Sequence, residues 1–156
     1  MTYECFEITN VGKVAHVQMI RGENLNTMIP SFWRELPEII NAISDEGTAR
    51  AIVLSSTGRH FCAGMDLSVF AGGNLSGSEK TERGRQNAVT RSGALHLQES
   101  FNCLEHARMP VLAAIQGGCV GGAVDMVTAA DMRYATSDAW FCIQEINIGI
   151  DRKSVV

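Results

Sequence analysis

Two carboxylates and a run of glycines are the residues of this 156-residue chain best suited to chemistry. The glycines lie in Gly117-Gly118-Cys119-Val120-Gly121-Gly122, and Asp125 and Glu145 follow them. The apolar run Val111–Ile115 stops at this cluster and an apolar-periodic segment starts at Gly121, which predicts a strand, a tight turn and the opening of a helix. Glycine at such a junction lets backbone approach a ligand where any Cβ would collide. The exposed N–H groups of a helix's first turn favour negative charge. Asp125 falls in about the first turn, and Glu145 comes after the next pair of strands. Both stand in mostly apolar sequence, where a buried carboxylate is costly unless it is paired or functional. Each also has a plain structural reading, Asp125 as a complement to the helix dipole and Glu145 as an exposed loop residue. Their combination is what points to proton transfer.

Several chemistries are excluded at the glycine turn. A phosphate-cradling loop carries Lys and then Ser or Thr after its last glycine, whereas Ala123 and Val124 follow here. Cys119 occupies the place of the second glycine in a dinucleotide fingerprint. No serine sits in the turn, which removes a nucleophile elbow. What remains is a helix N-terminus that donates hydrogen bonds without supplying a nucleophile. That suits an enolate or oxyanion while separate acids and bases move protons.

Composition narrows the partners. A net charge of −4 without a basic stripe argues against nucleic acid. Apolar residues at 46% and charged residues at 19% are ordinary for a globular chain, and the length suits one domain with a proper core. Cys5, Cys62, Cys103, Cys119 and Cys142 are odd in number and form no Cys-x-x-Cys pair, so they read as reduced apolar fillers. The histidines form no His-Glu-x-x-His pattern, and no metal is expected. No apolar run approaches a membrane span, and Met1–Asn10 lacks a basic leader, so a soluble, cytoplasmic chain is expected.

The elements that must position the carboxylates follow in order. Tyr3–Thr9 and Lys13–Ile20 read as a hairpin turning at Asn10-Val11-Gly12. Pro30 suits the first position of a helix with an apolar face of Phe32, Trp33, Leu36, Ile39, Ile40 and Ile43. Pro37 falls inside it and is expected to kink it or to cost several kcal/mol. Ala49–Ser55 reads as a buried strand, and the loop after it has Gly58 and Gly64 as hinges. Ala71–Lys80, rich in Gly and Ser, reads as a mobile surface loop. Ala88, Leu95, Leu97, Phe101 and Leu104 support a long helix over Thr81–Ala107, weakened by Gly84 and Gly93. The alternation of strands and helices indicates an α/β fold. Arg59 and His60 have two readings, contact with phosphates or a solvated loop edge, while Trp33 and Trp140 read as packing residues.

Taken together, Gly117–Asp125, Asp131-Met132-Arg133-Tyr134 and Gln144–Gly149 resemble the crotonase (enoyl-CoA hydratase/isomerase) superfamily. Phe61–Leu67 resembles that family's other signature loop. Arg21–Met28 is similar to its N-terminal substrate-side loop, with Gly22 and Thr27 where Pro and Ala are usual. The resemblance runs from about Tyr3 to Gly149, makes residues 1–149 a crotonase-like N-terminal core, and implies a spiral of strand-strand-helix units, lacking the family's C-terminal helical part. It implies an acyl-CoA thioester substrate, with coenzyme A belonging to the substrate and no separate cofactor. The implied oxyanion-hole donors are the N–H groups of Met65 and Gly122. Ala63, Gly64, Asp66, Leu67 and Ser68 are implied to hold the CoA side.

Hydratases resemble one another in having glutamate at both catalytic positions. Asp125 with Glu145 is instead similar to the Δ3,5-Δ2,4-dienoyl-CoA isomerases of fatty-acid β-oxidation. Asp is one methylene shorter, which withdraws the carboxylate by about 1.5 Å. By that resemblance Glu145 removes a proton and Asp125 returns one. The alternatives are an enoyl-CoA hydratase and a non-catalytic acyl-CoA-binding fragment. A homotrimer or hexamer is implied for full-length members. Residues 150–156 leave the family pattern, with Lys153 where a third acidic residue is implied and Asp151 two positions early. A truncated or frameshifted reading frame is expected there.

Overall fold

The structure, a computed structural model, describes residues 2–71 and 82–147. Strand β1 (Phe6–Val11) pairs antiparallel with β2 (Val14–Met19), Val11 facing Val14. The turn therefore falls on Gly12-Lys13 and not on Asn10-Val11-Gly12. Tight hairpin turns need positive φ, and Gly12 supplies it at +61°. In β2 the buried Ala15, Val17 and Met19 alternate with half-buried Val14, His16 and Gln18, the two-residue period of a strand with one face in the core.

Helix α1 (Pro30–Glu46) begins on Pro30 as expected and ends at Gly47, which adopts the left-handed conformation. It packs Phe32, Leu36 and Ile40 into one buried cluster with Val17, Ile52, Leu54 and Val111 of the sheet. Pro37 neither ends nor interrupts it. A proline has no N–H for the carbonyl four residues back, here that of Trp33. The Ser100 hydroxyl, from the long helix that packs on α1, donates to the Trp33 carbonyl at 2.9 Å. A tertiary hydrogen bond replaces the missing helical one.

After α1 come β3 (Ala51–Ser56), α2 (Leu67–Ala71) and α3 (Arg83–His106), the last capped by Glu82, whose carboxylate accepts from Gly84 and Arg85 N–H. The remaining elements are β4 (Val111–Ile115), β5 (Gly118–Val120), α4 (Gly122–Thr128), β6 (Met132–Ala135) and β7 (Trp140–Cys142). The main sheet has the order β1-β2-β3-β4-β6, parallel from β2 onward, and β5 pairs with β7 in a second, parallel sheet. The fold is α/β, as expected.

Three expectations change. The tight turn before α4 contains a strand, β5, whose small residues show no strand periodicity. The two strands after α4 lie in different sheets. On α3 Leu104 is buried and Leu97 and Phe101 are half-buried, but Ala88 and Leu95 are exposed. Of the two tryptophans, Trp33 is buried, whereas Trp140 is half-exposed and meets the His60 ring edge-on. Residues 72–80 of the Gly/Ser-rich stretch and the tail with Asp151 and Lys153 lie outside the described residues.

Candidate functional site

Three backbone segments converge on the site. Cys62 bridges Cys119 of β5, with Cys62 N–H donating to Gly118 O at 3.2 Å and Val120 N–H to Cys62 O at 3.0 Å. A few residues on, Met65 bridges Met28, with Met28 N–H donating to Gly64 O at 2.9 Å and Asp66 N–H to Met28 O at 3.1 Å. Met28 makes both bonds of that bridge with its own N–H and carbonyl, and the groups it meets belong to Gly64 and Asp66, the residues on either side of Met65. The N–H of Met65 itself therefore faces away from Met28. Gly64, at φ +85°, approaches β5 so closely that a Cβ would stand 2.7 Å from the Val120 carbonyl oxygen. Only a residue without that carbon permits Gly64-Met65 to lie beside Val120-Gly121.

Gly121 turns the chain from β5 into α4 with φ +58° and ψ −129°, its N–H donating to Cys142 O at 2.8 Å. Gly122 opens the helix, so its N–H is one of the first-turn amides that no helical carbonyl reaches. A Cβ there would stand 3.4 Å from Met28 Sδ and 3.8 Å from both Trp33 and Phe101. The helix N-terminus thus has an apolar wall. Asp125 lies in the first turn of α4 and is half-buried. Glu145 opens a short 3-10 turn over Glu145–Asn147, also half-buried, with Oε1 3.4 Å from where a Gly121 Cβ would be.

Of the residues expected on the CoA side, Ala63 donates its N–H to Leu25 O at 3.0 Å, while Leu67 and Ser68 are exposed at the rim. Asp66 Oδ1 accepts from Ser68 N–H at 3.0 Å and Ser68 Oγ at 2.6 Å, and Oδ2 accepts from Thr27 Oγ1 at 2.8 Å. These bonds, those of Ser68 foremost, hold the Asp66 carboxyl below the usual carboxylate range.

Both residues noted as unusual in the N-terminal loop have partners. Gly22 N–H donates to Thr57 Oγ1 at 3.2 Å, and a Cβ on Gly22 would stand 2.9 Å from Gly58 N. Thr27 reaches Asp66, a role its departure from alanine could have signalled. His60 Nδ1 accepts from Gly118 N–H at 2.9 Å, which makes it a support of the glycine turn. All five cysteines are free thiols. Burial pushes those of Cys5, Cys62, Cys103 and Cys119 up to about 12. Among the described residues no cluster of His, Cys, Asp or Glu could hold a metal ion, and no helix is long and apolar enough to cross a membrane.

A family model described as enoyl-CoA hydratase/isomerase matches residues 9–155. The chain belongs to the enoyl-CoA hydratase/isomerase family. Among curated relatives, the human mitochondrial Delta(3,5)-Delta(2,4)-dienoyl-CoA isomerase is 40% identical over 96% of this chain and 45% of its own length. The peroxisomal dienoyl-CoA isomerase of Arabidopsis thaliana is 34% identical over 96% of this chain and 54% of its own. Enoyl-CoA hydratase AKT6-1 of Alternaria alternata is 28% identical over 93% of this chain and 44% of its own.

The enoyl-CoA hydratase/isomerase fold is matched in solved structures as well. One from Xanthobacter autotrophicus Py2 superposes with a TM-score of 0.83 at 24% identity, over 95% of this chain and 52% of that one. A Thermobifida fusca YX protein solved with acetoacetyl-CoA gives 0.77 at 23% identity, over 94% and 56%. The chain spans about half the length of the relatives it matches. Within this enoyl-CoA hydratase/isomerase chain, Gly64-Met65, Gly121-Gly122 and Glu145 meet at the start of α4, with Asp125 on the same helix.

Proposed function

We propose that this chain carries the acyl-CoA thioester site of a Δ3,5-Δ2,4-dienoyl-CoA isomerase. The observation that carries the reading is the Glu145 carboxylate lying against Gly121 at the N-terminus of α4, the helix that also bears Asp125. Removing a proton next to a thioester carbonyl puts negative charge on the thioester oxygen. The Met65 and Gly122 N–H groups receive that charge, a form of stabilisation worth several kcal/mol. Glu145 takes the proton beside the carbonyl, and Asp125 delivers one at the far end of the diene. The CoA portion runs along Ala63, Gly64, Asp66, Leu67 and Ser68. Acyl-CoA enters as substrate, and the proton shuttle calls for no further cofactor.

Asp125 in place of a second glutamate supports isomerisation over hydration, as do the dienoyl-CoA isomerases at 34–40% identity. The site is proposed to work in an aqueous, reducing compartment. The cytoplasm is our reading from cysteine usage, while the dienoyl-CoA isomerases named above are mitochondrial and peroxisomal. A trimer or hexamer is our expectation for full-length members of the family, and sedimentation tests whether this chain assembles.

Incubation with a 3,5-dienoyl-CoA is expected to produce conjugated-diene absorbance. Loss of 2-enoyl-CoA absorbance without a diene shift would replace the isomerase by a hydratase. Calorimetric binding of acyl-CoA with no turnover of either substrate would assign a non-catalytic binding chain.

A further inference from the structure

The Thr27–Asp66 hydrogen bond joins loops 39 residues apart at 2.8 Å. Each Asp66 carboxylate oxygen points a different way. Oδ1 turns forward onto Ser68, at the start of α2, and Oδ2 turns back onto Thr27. The Asp66 N–H donates to the carbonyl of Met28, the residue next to Thr27. Thr27, Met28 and Asp66 therefore close a small ring of one side-chain and one main-chain hydrogen bond. Arg21 anchors the ring from behind, its Nη1 donating to the Thr27 carbonyl at 2.9 Å. Capping α2 requires only Oδ1. The bond from Thr27 adds a second restraint on the carboxylate, while the bonds from Asp66 N–H to Met28 O and from Met28 N–H to Gly64 O hold the peptides on either side of Met65.

We propose that Thr27 is a positioning residue, whose hydroxyl on Asp66 holds residues 64–66 against Met28 and so keeps in place the Gly64–Met65 peptide, whose carbonyl accepts from Met28 N–H at 2.9 Å and whose N–H is that of Met65. The charge that this amide receives rests on the acyl-CoA reading above; the latch itself does not. Thr27→Val keeps the shape and removes the donor, while Thr27→Ser keeps the donor.

In the free protein, Thr27→Val is expected to raise the Asp66 titration midpoint and to speed hydrogen exchange of the Asp66 amide about tenfold. Acetoacetyl-CoA is the functional probe, because its enolate has its own ultraviolet band and reports stabilisation of charge on the thioester side. That band is expected to need about tenfold more protein in Thr27→Val, with Thr27→Ser close to wild type in all three readouts. An unchanged Asp66 midpoint and amide exchange in Thr27→Val would overturn the latch. A shifted midpoint with an unchanged enolate band would overturn the positioning role. Absence of any band in the wild type would count against the acyl-CoA reading, and the two free-protein measurements would still decide the latch.

Discussion

Glu145 Oε1 stands 3.4 Å from the point that a Gly121 β-carbon would occupy, and Gly121 holds φ at +58°. The general base proposed for the reaction is thus seated against the residue that turns β5 into α4. Gly121→Ala is expected to cost about 1–3 kcal/mol through backbone strain and to press on the carboxylate. The denaturant midpoint should fall with an unchanged slope. Diene formation should be lost even where the variant remains folded.

Asp125→Asn and Glu145→Gln remove the proposed acid and base while preserving shape. Each is expected to lower the rate of diene formation by roughly 10²–10⁴-fold and to leave the denaturant midpoint near wild type. Full activity in both variants would show that the protons move by another route.

Ser100 and Pro37 form a compensating pair around the Trp33 carbonyl. Ser100→Ala leaves that carbonyl buried and unsatisfied, at a cost of about 1–3 kcal/mol. Pro37→Ala returns an N–H to it. Ser100→Ala is therefore expected to destabilise less in the Pro37→Ala background, and a double-mutant cycle by chemical denaturation measures the difference.

The depressed Asp66 carboxyl sets a pH dependence with a defined sign. A carboxyl whose folded pKa is lowered contributes stability that is fully present above its unfolded value of about 3.9. That contribution is lost as pH falls through the lower folded value. Asp66 is largely solvated, so the effect is small and screened. Chemical denaturation from about pH 5 to pH 2 should show Asp66→Asn below wild type at the upper end, with the gap closing as the acid carboxyl titrates.

Cysteine labelling separates the buried thiols from the half-exposed one. Cys5, Cys62, Cys103 and Cys119 are buried, with thiols pushed up to about 12. At neutral pH an alkylating reagent is expected to modify Cys142 first. The other four should react only as fast as the protein opens, which mass-resolved labelling reads directly.

Local pattern made much of the molecule legible. Apolar spacing and Pro30 placed α1, the branched runs Ile52–Leu54 and Val111–Ile115 placed two parallel strands, and the order of the glycine motifs pointed to the family. Each of these signals lies within a few residues of chain, where propensity and periodicity act.

Other features depend on partners far along the chain. The run Gly118-Cys119-Val120 becomes a strand because Cys62 and β7 supply its hydrogen bonds, and two bare backbones can approach where glycine has no Cβ. Pro37 is tolerated because Ser100, on another helix, reaches the carbonyl it strands. Glu145 comes to rest on Gly121 because β7 pairs with β5 and not with β6, its neighbour in sequence. Hydrogen-bond pairing between distant segments leaves no local periodicity, so composition and spacing name the residues that can do the chemistry, while the packed chain selects which of them meet.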